Sequence, residues 1–114
     1  SRGLIFGAAL AQRLSLGFIP ARKPGKLPRA KHTEAYGLEY GQDALEVHQD
    51  AMKAGDRVLI VDDVLATGGT AAAARRLVEA TGATAVGLTL FIELAGLEGR
   101  GKLQGLPVFS VLRY

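Results

Sequence analysis

Val58-Leu59-Ile60-Val61-Asp62-Asp63-Val64-Leu65-Ala66-Thr67-Gly68-Gly69-Thr70 is the run that decides how this chain folds. Its first four residues are aliphatic with no polar interruption, the pattern of a strand buried on both faces in the middle of a parallel sheet. The apolar run stops at Asp62-Asp63, and Ala66 to Thr70 leads into a helix. Ala73, Ala74, Leu77 and Val78 give that helix one apolar stripe, with Arg75, Arg76 and Glu79 facing outward and Gly82 ending it. A second buried strand follows at residues 84–92 (TAVGLTLFI), and a third at 108–112 (VFSVL) after Pro107. Strand, loop, helix, strand is a βαβ unit with a right-handed crossover. The fold class is therefore α/β with a mostly parallel sheet.

Upstream of this unit the pattern changes. Residues 3–16 (GLIFGAALAQRLSL) are apolar on nearly every face, which predicts a helix covered by the sheet, with Gly17 as its C-terminal cap. Residues 17–22 (GFIPAR) read as a short strand. Residues 23–43 are polar and rich in turn formers, longer than an ordinary connection and suited to a functional loop. ALEVHQ, 44–49, alternates roughly every second residue and reads as a strand returning from that loop.

With 114 residues the chain has room for one domain, 1–114. Its hydrophobic (48%) and charged (22%) fractions are those of a folded globular protein. No apolar stretch is long enough for a membrane span, and no export signal is visible. The absence of cysteine excludes disulfides and thiolate chemistry and fits a cytoplasmic protein. The net charge of +3 suits either nucleic acid or a polyanionic small molecule. Arg22, Lys23, Lys26, Arg29 and Lys31 crowd one Gly/Pro-containing segment without interleaved aromatic rings. A stacking platform for nucleic acid needs such rings, so a basic loop closing over phosphates is the better reading. His32 and His48 lack metal-ligand spacing and read as surface residues.

Chemistry concentrates in the opening run. Ligands of open α/β sheets bind beyond the carboxyl ends of the strands. There Gly68 and Gly69 allow close backbone approach, the new helix offers unpaired N–H groups, and Thr67 and Thr70 add hydroxyls: a cradle for a phosphate monoester. No Gly-Lys-Ser/Thr ending is present, which disfavours a nucleoside triphosphatase loop. Asp62 and Asp63, just before the cradle, suit a vicinal diol that donates its hydroxyls to them. An Asp pair alone can also cap a turn or bind a metal directly. Followed by Ala66-Thr67-Gly68-Gly69-Thr70, it describes a ribose 5-phosphate site.

Residues 58–70 resemble the phosphoribosyl-diphosphate signature of type I phosphoribosyltransferases, and the adenine phosphoribosyltransferases most closely. Ser1-Arg2-Gly3 before an apolar helix looks like that family's diphosphate loop. Arg22 to Pro28 and Tyr36 to Gly41 look like the two ends of its flexible catalytic loop, 22–42. Ile92-Glu93-Leu94 resembles its strand end beside the base. The resemblance implies a mostly parallel sheet flanked by helices with a flexible β-hairpin loop, lacking here the family's first strand and N-terminal hood.

It further implies transfer of a phosphoribosyl group from phosphoribosyl diphosphate to adenine, giving AMP and diphosphate. Arg2, Lys23 and Lys26 would face the diphosphate, Glu39 would move a proton at the purine ring, and Tyr40 would position Glu39 or the substrate. Val64 and Leu94 would flank the base; each serves equally as core. The Ser1–Arg2 bond would be cis, Arg22 would reach a neighbouring subunit, Mg2+ would bind mainly through the substrate, and the protein would be a homodimer. The same motif is compatible with two other functions. One is a hypoxanthine-, xanthine- or orotate-specific relative. The other is a transcription regulator that senses phosphoribosyl diphosphate without catalysis.

Overall fold

The computed structural model describes residues 2–21, 31–38, 41–48 and 52–114. In chain order they form α1 (Arg2–Leu14), β1 (Lys31–Leu38), β2 (Gly41–His48), β3 (Arg57–Leu65), α2 (Gly69–Ala80), β4 (Thr84–Glu93) and β5 (Val108–Arg113). Two 3-10 segments, Ala95–Leu97 and Gly99–Lys102, occupy the link from β4 to β5. β3, β4 and β5 lie side by side in that order, all parallel, while β1 and β2 pair antiparallel as a separate hairpin. This is the expected α/β architecture, with β3-α2-β4 as its βαβ unit.

The packing follows from side-chain size. α2 carries Ala71, Ala72 and Ala73, good helix formers small enough to bring its backbone close to the sheet. Ala71 and Ala72 pack with Ile60, Leu65, Leu88 and Leu90 of the strands, and with Leu103 and Leu106 beyond β4. Ala73, Leu77 and Val78 pack with Leu45 and Val47 of the hairpin and with Met52 and Ala83. The helix ends at Ala80, with Thr81 as C-cap and Gly82 in the left-handed region (φ 84), as its sequence predicts. α1 lies on the opposite face, where Phe6 stacks on Phe91 with ring centroids 5.5 Å apart; Phe91 points away from the α2-facing Leu90 because strand side chains alternate.

Four upstream and boundary readings are corrected. α1 stops at Leu14, and the left-handed residue is Ser15 (φ 55), not Gly17; Leu16 N–H donates to Ala11 O at 2.8 Å, closing the helix two residues earlier. α1 is not buried all round, since Ile5 is 71% and Leu14 51% exposed: it meets the body of the protein along one side only. Residues 17–21 form no strand; Ile19 and Ala21 reach the core as irregular chain. β3 does not end at the Asp pair. It runs to Leu65, paired as far as Glu93 of β4, with Asp62 and Val64 both in register and the Asp63 and Val64 amides donating to the two carboxylates. β1 and β2 form a hairpin within the segment where the resemblance implied one; residues 22–30, 39–40 and 49–51 lie outside the described residues.

Candidate functional site

β3 delivers Asp62, Asp63 and Val64 to the carboxyl end of the sheet, and the chain turns through Ala66–Gly68 into α2. The Asp63 N–H donates to Asp62 Oδ1 at 2.8 Å, and the Val64 N–H to Asp63 Oδ1 at 2.9 Å. Each carboxylate is thus held by the amide of the residue after it. Burial pushes the Asp62 carboxyl up to about 6; the Asp63 amide pulls the other way, and the neighbouring Asp63 carboxyl adds to the rise. Two acids this close do not share charge freely.

Gly68 has φ 90 and ψ 0, a left-handed conformation, and is the N-cap of α2 without any side-chain cap. A Cβ on Gly68 would overlap the carbonyl oxygen of Gly99, and one on Gly99 would sit 2.5 Å from Ala66 O. The two backbones touch where neither tolerates a side chain. The first helical bond of α2 runs from Ala72 N–H to Gly68 O, 2.9 Å. The N–H groups of Gly69, Thr70 and Ala71 therefore have no acceptor within the helix, and no acidic residue occupies its first turn. Such an end carries partial positive charge and receives anions. Thr67 is exposed beside it and Thr70 half-buried.

Val64 is the last residue but one of β3, and Leu94 follows directly on the neighbouring β4. Val64 is half-buried and Leu94 36% exposed, and Leu94 N–H donates to Leu65 O at 2.8 Å. The structure thus places Asp62, Asp63 and Val64 near the end of β3, Ala66, Thr67, Gly68, Gly69 and Thr70 along the turn into α2, and Leu94 beside Leu65. Arg2 opens α1, though its side chain, like Ser1, Lys23, Lys26, Glu39 and Tyr40, lies outside the described residues. Asp62 and Thr70 also line a cavity of about 870 Å³ whose other walls are mostly apolar, Leu10, Phe18, Ile60 and Leu77 among them.

Sequence reasoning passed over an ion pair behind the cradle. Glu93, 2% exposed at the end of β4, accepts from Arg100 Nε and Nη2, both at 2.7 Å, and from Ser110 Oγ at 3.0 Å. The Arg100 guanidinium holds the Glu93 carboxyl below the usual carboxylate range despite burial, with Ser110 and Arg113 acting in the same sense. In the sequence Glu93 stands out only as the acid closing an apolar strand, within the Ile92-Glu93-Leu94 run that resembles the family's strand end beside the base.

Among the described residues no cluster of three or more His, Asp or Glu could hold a metal ion. The Asp62–Asp63 pair fits a hard cation that keeps most of its waters and takes few protein ligands.

The model of the phosphoribosyl transferase domain matches residues 1–111. The chain belongs to that family. Within it, the chain is 57% identical over all 114 residues to the adenine phosphoribosyltransferase of Trichodesmium erythraeum, covering 67% of that protein. The crystal structure of adenine phosphoribosyltransferase from Thermoanaerobacter pseudethanolicus superposes with a TM-score of 0.97 at 50% identity, over the whole of this chain and 66% of that one. The Saccharomyces cerevisiae adenine phosphoribosyltransferase, complexed with an imino-altritol bisphosphate and adenine, gives 0.93 at 47% identity over 97% of this chain and 62% of that one. The chain thus spans about two thirds of these family members' length.

Proposed function

We propose that the protein transfers the 5-phosphoribosyl group from phosphoribosyl diphosphate to adenine, giving AMP and diphosphate. The observation that carries this is the open end of α2 beside the Asp62–Asp63 pair, one for a phosphate and the other for a diol, and the adenine-named relatives support the choice of base.

In this reading the 5-phosphate sits on the amides of Ala66 to Thr70 with the Thr67 and Thr70 hydroxyls, and the ribose hydroxyls donate to Asp62 and Asp63. Adenine lies between Val64 and Leu94. The C1–O bond breaks with its electron pair passing to the departing diphosphate, while purine N9 forms the new bond at C1. Arg2, Lys23 and Lys26 stabilise the charge on the leaving group, the preorganised electrostatic contribution that is usually largest in catalysis. Glu39 takes up the proton that the purine ring gives up as N9 bonds to C1, and Tyr40 positions Glu39 or the substrate. Closure of residues 22–42 excludes water from the activated ribose. Asp62 and Asp63 would be the protein neighbours of a Mg2+ ion bound mainly through the substrate, which would supply further charge neutralisation.

The protein is also proposed to be a cytoplasmic homodimer. What supports the dimer is apolar surface left open on the α1 side of the sheet: Ile5 71%, Phe109 63% and Val111 58% exposed.

Incubation with phosphoribosyl diphosphate and each labelled base tests the reading. Nucleotide should form from adenine and not from hypoxanthine. Tight binding of phosphoribosyl diphosphate with transfer to no base would favour a sensor instead. Replacing Asp62 and Asp63 together by Ala should abolish turnover, and full activity in that variant would rule the mechanism out.

A further inference from the structure

The cradle has no stiffness of its own. Its turn contains two glycines and no side-chain cap, and glycine holds a left-handed conformation without preferring it. What confines the turn lies behind it. Gly99 presses against Ala66 and Gly68 so closely that a methyl on either glycine would collide with the other strand of backbone. Gly99 precedes Arg100 on the same 3-10 segment, and Arg100 is clamped by two 2.7 Å bonds to Glu93 on β4. Around the pair, Ser110 Oγ donates to Glu93 at 3.0 Å and Arg113 Nε stands 3.9 Å away. Arg75 of α2 donates to Gln104 O at 2.8 Å just beyond the segment.

From this we infer that Glu93 and Arg100 are positioning residues for the phosphate cradle, setting the place of the Gly99 backbone and through it the shape of the Ala66–Gly68 turn. A planar fork matched to a carboxylate fixes direction as well as distance. A pair with an exposed arginine used only to fasten β4 to the 3-10 segment would need neither the fork nor the contact at Gly99. The inference rests on the phosphoribosyl reading of the site. Its ligand side is the 5-phosphate, shared by phosphoribosyl diphosphate, ribose 5-phosphate and AMP.

Arg100→Lys keeps the charge but loses the fork. It should raise the KM for phosphoribosyl diphosphate and the dissociation constant for ribose 5-phosphate about tenfold, since small misplacements of binding groups are costly. The KM for adenine should change less than twofold. Gly99→Ala reaches the same contact without touching the ion pair and should give the same selective loss, which covers the case in which Arg100→Lys fails to fold. Unchanged phosphate-ligand affinity in folded Arg100→Lys or in Gly99→Ala would overturn the inference and leave the pair a fastening of β4 to the 3-10 segment. If the unaltered protein binds no ribose 5-phosphate, the functional reading falls with it; if it binds normally and the variants do too, only the positioning role falls.

Discussion

Burial pushes the Asp62 carboxyl up to about 6 from an ordinary 3.8, so its charge state changes within a range that assays reach. A carboxyl whose folded value is raised binds its proton more tightly in the folded protein. Its effect on stability is therefore most favourable below about pH 4 and declines as pH climbs towards 6. At neutral pH the ion is kept against the interest of the fold, and Asp62→Asn should raise the melting temperature by a few degrees at pH 7; an unchanged or lower value counts against burial as the cause. Diol binding needs the ionised form. The KM for phosphoribosyl diphosphate should climb below pH 6 and approach a tenfold rise per unit. The ligand's own phosphate titrates near 6, so the informative quantity is the extra steepness of the unaltered protein over Asp62→Asn. Glu93 behaves oppositely. Its carboxyl is depressed, mainly by the Arg100 hydrogen bonds, so the stability it contributes is present above its ordinary 4.5 and lost as pH falls through the depressed value.

At the scale of elements, the turn into α2 is the most sensitive point. Gly68→Ala combines a left-handed backbone with overlap at Gly99 O, and should cost about 1–3 kcal/mol in urea unfolding while weakening phosphate binding. Arg100→Ala would leave the Glu93 carboxylate with only Ser110 and Arg113 as partners, at about 1.5–3 kcal/mol, whereas Glu93→Gln together with Arg100→Met should recover most of that. The strands and α2 were legible in the sequence because each is built on an unbroken rule: aliphatic residues on both faces of β3 and β4, and an Ala/Leu/Val stripe on α2. The glycines at 68 and 69 marked the turn for the same reason. What was not legible depended on partners distant in the chain. α1 was expected to be covered because its composition is apolar, yet coverage depends on what lies opposite it. Phe18 and Ile19 suggested a strand, but one lies against Gly7 and the other enters the core without a strand partner. The Glu93–Arg100 pair joins residues seven apart through a 3-10 bend that no periodicity announces.

For the molecule as a whole, the parallel sheet places its polar chemistry at one end and leaves an apolar face beside α1. Ile5, Phe109 and Val111 stand more than half exposed there, surface that a homodimer would cover. Replacing Phe109 and Val111 together by Lys should shift sedimentation from dimer to monomer; no change in mass would place the interface elsewhere. The βαβ unit also ties both ends of the proposed nucleotide to one rigid body, with the phosphate at the start of α2 and the base at the ends of β3 and β4. A crystal structure with AMP bound tests that arrangement most directly. The phosphate should lie within hydrogen-bond distance of the amides of residues 66–70, with the ribose hydroxyls on Asp62 and Asp63. A phosphate bound anywhere else, with the α2 turn empty, would contradict it.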